Sequence, residues 1–144
     1  MYTDEELRTD VEQHQWVVLK VDAETAAAYG YSVGLTRSLG HPELVVVGLD
    51  DDTMQDLINE IGDAVAGGAA FRDGSTSPDF LEGYDVTFRA LPAALRTSHF
   101  AWADRFYADA DFSALQVVYP DRKGRWPWDP AVAADFRKGQ PILG

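Results

Sequence analysis

Two periodicities divide this chain into elements. Thr3-Asp4-Glu5-Glu6 has the form of a capping box, and Leu7, Val11 and His14 then fall on one helical stripe, which predicts a helix over 4–14. Trp16-Val17-Val18-Leu19-Lys20-Val21 is short and β-branched and predicts a strand, with a polar turn over 22–25. In the next strand, Tyr29, Tyr31, Val33 and Leu35 point to one face, and Gly30, Ser32 and Gly34 to the other. That second face is nearly bare. Glycine weakens a strand unless something must come close to its backbone, so the bare face is expected to meet a closely packed helix or a ligand.

Leu44-Val45-Val46-Val47-Gly48-Leu49 is apolar on both faces, as in a central strand covered on both sides. Asp52 is read as the cap of a helix in which Met54, Leu57, Ile58, Ile61 and Val65 form one stripe, ended by Gly67-Gly68. Residues 71–83 read as a mobile loop, 85–91 as an alternating strand, Pro92 as the start of a short helical turn, and 100–108 as a helix. Leu115-Gln116-Val117-Val118-Tyr119 is a further strand. The turn after it, Pro120-Asp121-Arg122-Lys123-Gly124, is read as leading back into Arg125-Trp126 as a hairpin. Short links between successive strands favour antiparallel or mixed pairing. The fold class expected is α+β: a single domain over 1–144 with a mixed, mainly antiparallel sheet packed by two or three helices.

Composition narrows the function classes. With 46% hydrophobic and 25% charged residues, the chain can build an ordinary core. The formal net charge of −12 argues against a nucleic-acid partner, because phosphate binding needs a basic surface. The balance is uneven: residues 122–144 carry 5 Lys and Arg against 2 Asp and Glu, while residues 1–121 carry 7 against 22. No apolar run approaches the roughly 20 residues of a membrane span, and Met1 to Glu12 is acidic where a signal peptide would be basic and then apolar. A cytoplasmic protein without a membrane partner is expected. The absence of cysteine removes disulfides, thiolate catalysis and sulfur-ligated zinc.

Several separated motifs occur in a fixed order: Gly30-Tyr31-Ser32-Val33-Gly34-Leu35, His41-Pro42-Glu43-Leu44, Leu115-Gln116-Val117-Val118-Tyr119-Pro120-Asp121, Trp126-Pro127-Trp128-Asp129 and Gly139-Gln140-Pro141. As a set they make the chain resemble, over nearly its whole length, the bacterial domain-of-unknown-function 4262 family. The resemblance implies no activity. It directs attention to Tyr31, Gly34, His41, Pro42, Glu43, Gln116, Pro120, Asp121, Pro127, Trp128, Asp129, Gln140 and Pro141.

The candidate chemistry is thin. His41 beside Glu43 offers an acid/base group and a carboxylate to orient it, with Asp121 as a second candidate orienter. The plainer reading has His41 hold a turn while Pro42 stiffens the approach to the central strand. Gly30-Tyr31-Ser32-Val33-Gly34 matches the bare pattern of a serine elbow, but that motif needs a sharp turn into a helix, and the strand is read here as continuing to Leu35. Gly34 to Gly40 with Arg37 could cradle an anion, although no helix is expected to follow. His14, His41 and His99 are too scattered to suggest a metal site, and no cofactor is identified. Trp126 and Trp128 near Arg122, Lys123 and Arg125 combine flat aromatics with charge, or else simply close a core edge.

The leading expectation is a module that binds a small molecule or peptide near 31–43 and 126–129, using Tyr31, Ser32, Gly34, Arg37, His41, Gln116, Trp128 and Asp129. One alternative is an enzyme using His41 with Glu43 or Asp121. Another is an acidic interaction partner of a basic protein.

Overall fold

The apolar stripe of the longest helix and the doubly apolar central strand together set the architecture. The computed structural model describes residues 2–22, 27–108 and 110–143. In chain order the elements are α1 (Asp4–His14), β1 (Val17–Val21), β2 (Tyr29–Val33), α2 (Leu35–Leu39), β3 (Glu43–Val47), α3 (Asp51–Ala66), β4 (Thr76–Leu81), β5 (Tyr84–Ala90), α4 (Ala93–His99), α5 (Ala101–Tyr107), β6 (Ala114–Val118) and α6 (Ala134–Gly139). They form an α+β domain around one open sheet of order β1-β2-β3-β6-β5-β4. Only β3 and β6 run parallel; the other neighbours are antiparallel.

Helices cover both faces of the sheet. On one side Met54, Leu57, Ile58, Ile61 and Val65 of α3 pack against Leu44, Val46, Val86, Phe88, Leu115 and Val117. On the other, Leu7 and Val11 of α1 and Phe100 and Ala103 near α5 pack against Tyr31, Val33, Val45 and Val47. All five residues of β3 are buried, as a strand between two helical layers must be. No helix among the described residues is long and apolar enough to cross a membrane.

Helix α1 has the bounds and the Thr3 cap expected from its pattern, with Glu6 N–H donating to Thr3 Oγ1 at 3.1 Å. Four local expectations need correction. Strand β2 stops at Val33, because Gly34 takes φ 120° and turns the chain straight into α2. The cap of α3 is Asp50, whose carboxylate accepts from Thr53 N–H at 3.2 Å. The segment expected as a mobile loop contains β4, paired with β5 across the Glu82-Gly83 turn. No hairpin follows β6: Asp121 N–H donates to Arg125 C=O and closes a local turn instead. Most of the turn expected over 22–25 lies outside the described residues.

Candidate functional site

The bare face of β2 is filled by protein. A Cβ on Gly30 would lie 3.5 Å from Met54 Cβ, so α3 packs directly against this strand. At Gly34 a Cβ would come within 2.5 Å of Gln15 C=O, and the positive φ independently favours glycine. The turn made there aims the N–H groups of Gly34, Leu35 and Thr36 at one point, and Glu43 occupies it from the start of β3.

Glu43 is fully buried, at 0% exposure. Its Oε2 accepts from Gly34 N–H at 3.1 Å and Thr36 N–H at 3.3 Å, and its Oε1 from Leu35 N–H at 3.2 Å and Ser32 Oγ at 2.7 Å. The Tyr107 hydroxyl, arriving from α5, donates to Oε2 as well. Burial pushes the Glu43 carboxyl above its usual range, while the donors from Tyr107, Ser32, Thr36 and Gly34 pull the other way. Ser32 is equally buried, and its Oγ also accepts from Leu44 N–H at 2.9 Å. The cradle considered for Gly34 to Gly40 therefore exists and opens a short helix, but what it holds is the chain's own Glu43 carboxyl group. Strand, turn and helix do follow one another here, yet Ser32 lies within the strand and is sealed from solvent rather than presented at the turn.

His41 is 5% exposed. Its Nε2 accepts from Phe71 N–H at 3.0 Å, which leaves the proton on Nδ1 to be donated to Pro42 C=O at 2.9 Å. Burial lowers the imidazole below its usual range, with the Pro42 carbonyl opposing. Both ring nitrogens are bonded to main chain, and neither Glu43 nor Asp121 is a partner. Tyr31 is buried, its hydroxyl accepting from Trp102 N–H at 3.1 Å. Arg37 is exposed on α2, with its guanidinium 5.7 Å from the Phe106 ring.

The second group surrounds the end of β6. The Gln116 side chain, 0% exposed, donates to Pro141 C=O at 2.9 Å and accepts from Leu143 N–H at 2.8 Å. Gln140 does the same to the main chain of Tyr119, accepting from its N–H at 3.0 Å and donating to its C=O at 2.8 Å. Two glutamines thus fasten the C-terminal segment as an added strand would. The Asp121 carboxylate accepts from the main-chain N–H groups of Lys123 and Arg125 and from Arg125 Nε at 3.0 Å. Burial opposes its charge, but these donors hold it below the usual carboxylate range. Trp128 is 45% exposed and stacks on Trp126, with centroids 5.6 Å apart, and the Arg89 guanidinium lies 4.9 Å from its ring centroid. Asp129 closes a turn onto Ala131 N–H at 2.9 Å, and Arg137 ties down the carbonyls of Pro127 and Asp129.

A cleft of about 490 Å³ opens where the parallel strands β3 and β6 end. Leu49, Tyr119 and Phe136 form its apolar wall, and Arg122, Lys123 and Arg125 stand at its rim. Asp121 lines it too, whereas Ser32, His41 and Trp128 do not. Among the described residues no hydrogen bond or aromatic contact joins the His41–Glu43 group to Trp126–Asp129, and no three His, Asp or Glu side chains converge as a metal would require.

The motifs thus have definite structural places, and most of them lie within a stretch that matches a known family. A family model described as Domain of unknown function (DUF4262) matches residues 10–133. The chain belongs to the DUF4262 family. No curated protein and no solved structure matches it. The DUF4262 match spans the Glu43 cluster and the Tyr119–Arg125 turn, but stops before Phe136 and Gln140, which complete the second group. Sequence reasoning also passed over Tyr107 as a site residue. The signal for it was Glu43 itself, since a carboxylate opening a fully buried strand must find donors.

Proposed function

We propose that this domain is a ligand-binding module whose site is the cleft at the ends of β3 and β6, and that its ligand is a small anion with an apolar body. The observation carrying this reading is one of composition at one place. A strongly acidic chain sets Arg122, Lys123 and Arg125 beside the apolar surfaces of Leu49, Tyr119 and Phe136. Arg125 is paired with Asp121 at 3.0 Å, and among the described residues Arg122 and Lys123 have no such partner. A volume of about 490 Å³ suits a small molecule. An apolar wall holds the body of such a ligand by excluding water, while rim cations select its charge. On this reading, Glu43, Ser32, Gly34 and His41 serve as scaffold. His41, with both nitrogens occupied, gives no support to acid/base chemistry.

The test is a thermal-shift screen of aliphatic and aromatic carboxylates and of nucleoside monophosphates, followed by calorimetry. An anion that stabilises the protein should bind at least about tenfold more weakly to Arg122→Ala/Lys123→Ala, because a hydrogen bond to a charged group contributes about 1.5–3 kcal/mol. Phe136→Ala should weaken apolar-bodied anions more than inorganic phosphate. Unchanged affinity in both variants would place the site elsewhere, and no stabilisation by any anion would sink the reading.

A further inference from the structure

An open sheet has two outer edges, and here they are built differently. β4 carries Pro78 and Asp79, and its pairing with β5 shifts register between Ser77 and Leu81. Proline, charge and irregular pairing each blunt an edge against further strands. β1 has a different character. Val17-Val18-Leu19-Lys20-Val21 pairs regularly with β2 along all five residues. Among the described residues, no hydrogen bond outside that ladder reaches its main chain. Its one charge, Lys20, is drawn sideways onto Gln55 Oε1 at 3.1 Å. A regular strand with a free edge is a template for another.

The surroundings of that edge specify what would fit. A groove of about 380 Å³ runs between β1 and α3, lined by Trp16, Val17 and Val18 on one side and by Gln55, Asn59 and Asp63 on the other. Its wall is firm: Trp16 Nε1 donates to Asn59 Oδ1 at 3.0 Å, and the indole lies where a Cβ on Gly62 would meet it at 2.5 Å. Asp63, exposed on α3, lines this groove, and Asp56 and Glu60 are exposed on the same helix.

We propose that the outer edge of β1 docks a basic extended peptide, which adds a seventh strand to the sheet. Main-chain hydrogen bonds to β1 supply affinity, apolar side chains enter the groove beside Trp16, and lysine or arginine side chains answer the acidic flank of α3. A second copy of the chain is a poor occupant, because edge-to-edge pairing would set two such acidic flanks, each on a protein of net charge −12, against each other. This surface is distinct from the anion cleft, and its ligand has the opposite charge.

The probe is a fluorescein-labelled heptapeptide, Val-Thr-Lys-Thr-Val-Thr-Lys, which as a strand sets valine and lysine together on one face, read by anisotropy against the full chain. Two analogues carry N-methyl groups on alternate residues, one in each register. The plain peptide should bind and slow hydrogen exchange at Val17 to Val21. Methylation in one register should weaken binding about tenfold and in the other very little, since only one set of amides faces β1. Asp63→Lys should weaken binding several-fold with Tm unchanged, and Arg122→Ala should bind the peptide as wild type does, so this surface and the cleft fail independently. Equal effects of both methylations would reveal mere electrostatic adsorption and overturn the proposal, as would no binding at sub-millimolar peptide. Concentration-dependent dimerisation that protects β1 without peptide would assign the edge to a second copy and overturn it as well.

Discussion

Glu43 concentrates the physical chemistry of single residues in this protein. It is a carboxylate with five donors, 0% exposure and no cation among its hydrogen-bonding partners. Burial raises its carboxyl above the unfolded value, so the folded state binds a proton that the unfolded state has already lost. The resulting contribution to stability is fully present below the unfolded value and is lost as pH rises through the folded one. Glu43→Gln should therefore be less stable than wild type, by about 1–3 kcal/mol at low pH, because an amide nitrogen cannot accept from the donors that meet one carboxyl oxygen, whereas the hydroxyl of the protonated acid can. The gap should narrow as pH increases from the carboxylate range toward neutrality. Urea denaturation of both proteins across that range measures it. A gap that widens with pH would mean that the donors, not burial, dominate.

At the scale of elements, the decisive positions are those where two segments approach more closely than side chains allow. Gly48, just beyond β3, has φ 90°, and a Cβ there would lie 1.8 Å from Gly139 C=O and 2.9 Å from the Tyr119 hydroxyl. Gly48 thus lets the end of α6 lie against the end of β3, where Tyr119 also donates to Val47 C=O at 2.8 Å. Gly40 has φ 66° but nothing within 4 Å. Gly48→Ala should destabilise by several-fold more than Gly40→Ala, which should cost about 1 kcal/mol for its backbone conformation alone. It should also speed carboxypeptidase trimming of the C-terminal segment. Equal costs in chemical denaturation would show that the close approach is relieved by a small shift of α6.

For the whole molecule, the question is what satisfies β6 where its pairing with β3 ends. The segment 140–143 is held by four hydrogen bonds to Gln116 and Tyr119, and Leu143 packs against the cluster around Tyr31 and Val45. Truncation before Gln140 would leave Gln116 and the main chain of Tyr119 buried without partners. A loss of about 3–6 kcal/mol follows, a fall in Tm of roughly 10–20 °C by thermal shift. A truncated chain with unchanged Tm would show that water replaces the segment without cost.

Much of this organisation was legible in the sequence, because it depends on periodicity and local chemistry. The Thr3 cap and the Leu7–Val11 stripe set α1, the run from Leu44 to Val47 marked the central strand, and the stripe from Met54 to Val65 marked the helix that covers it. The bare face at Gly30 correctly demanded a close neighbour, and periodicity could not say that Met54 would be it. Gly34 was read as part of a strand because a positive φ leaves no mark on alternation. Tertiary structure alone brought Tyr107 to Glu43 across 64 residues, set Phe71 on His41, and turned Gln116 and Gln140 into strand mimics. Those contacts satisfy buried polar groups, and which groups become buried is decided only when the layers meet. The sequence by itself determined α1, the central strand and the long helix over it, and the acidic balance with its basic tail. The folded chain decided that its most reactive-looking residues bond to one another and to main chain, and that Arg122 and Lys123 line a cleft beside Leu49, Tyr119 and Phe136.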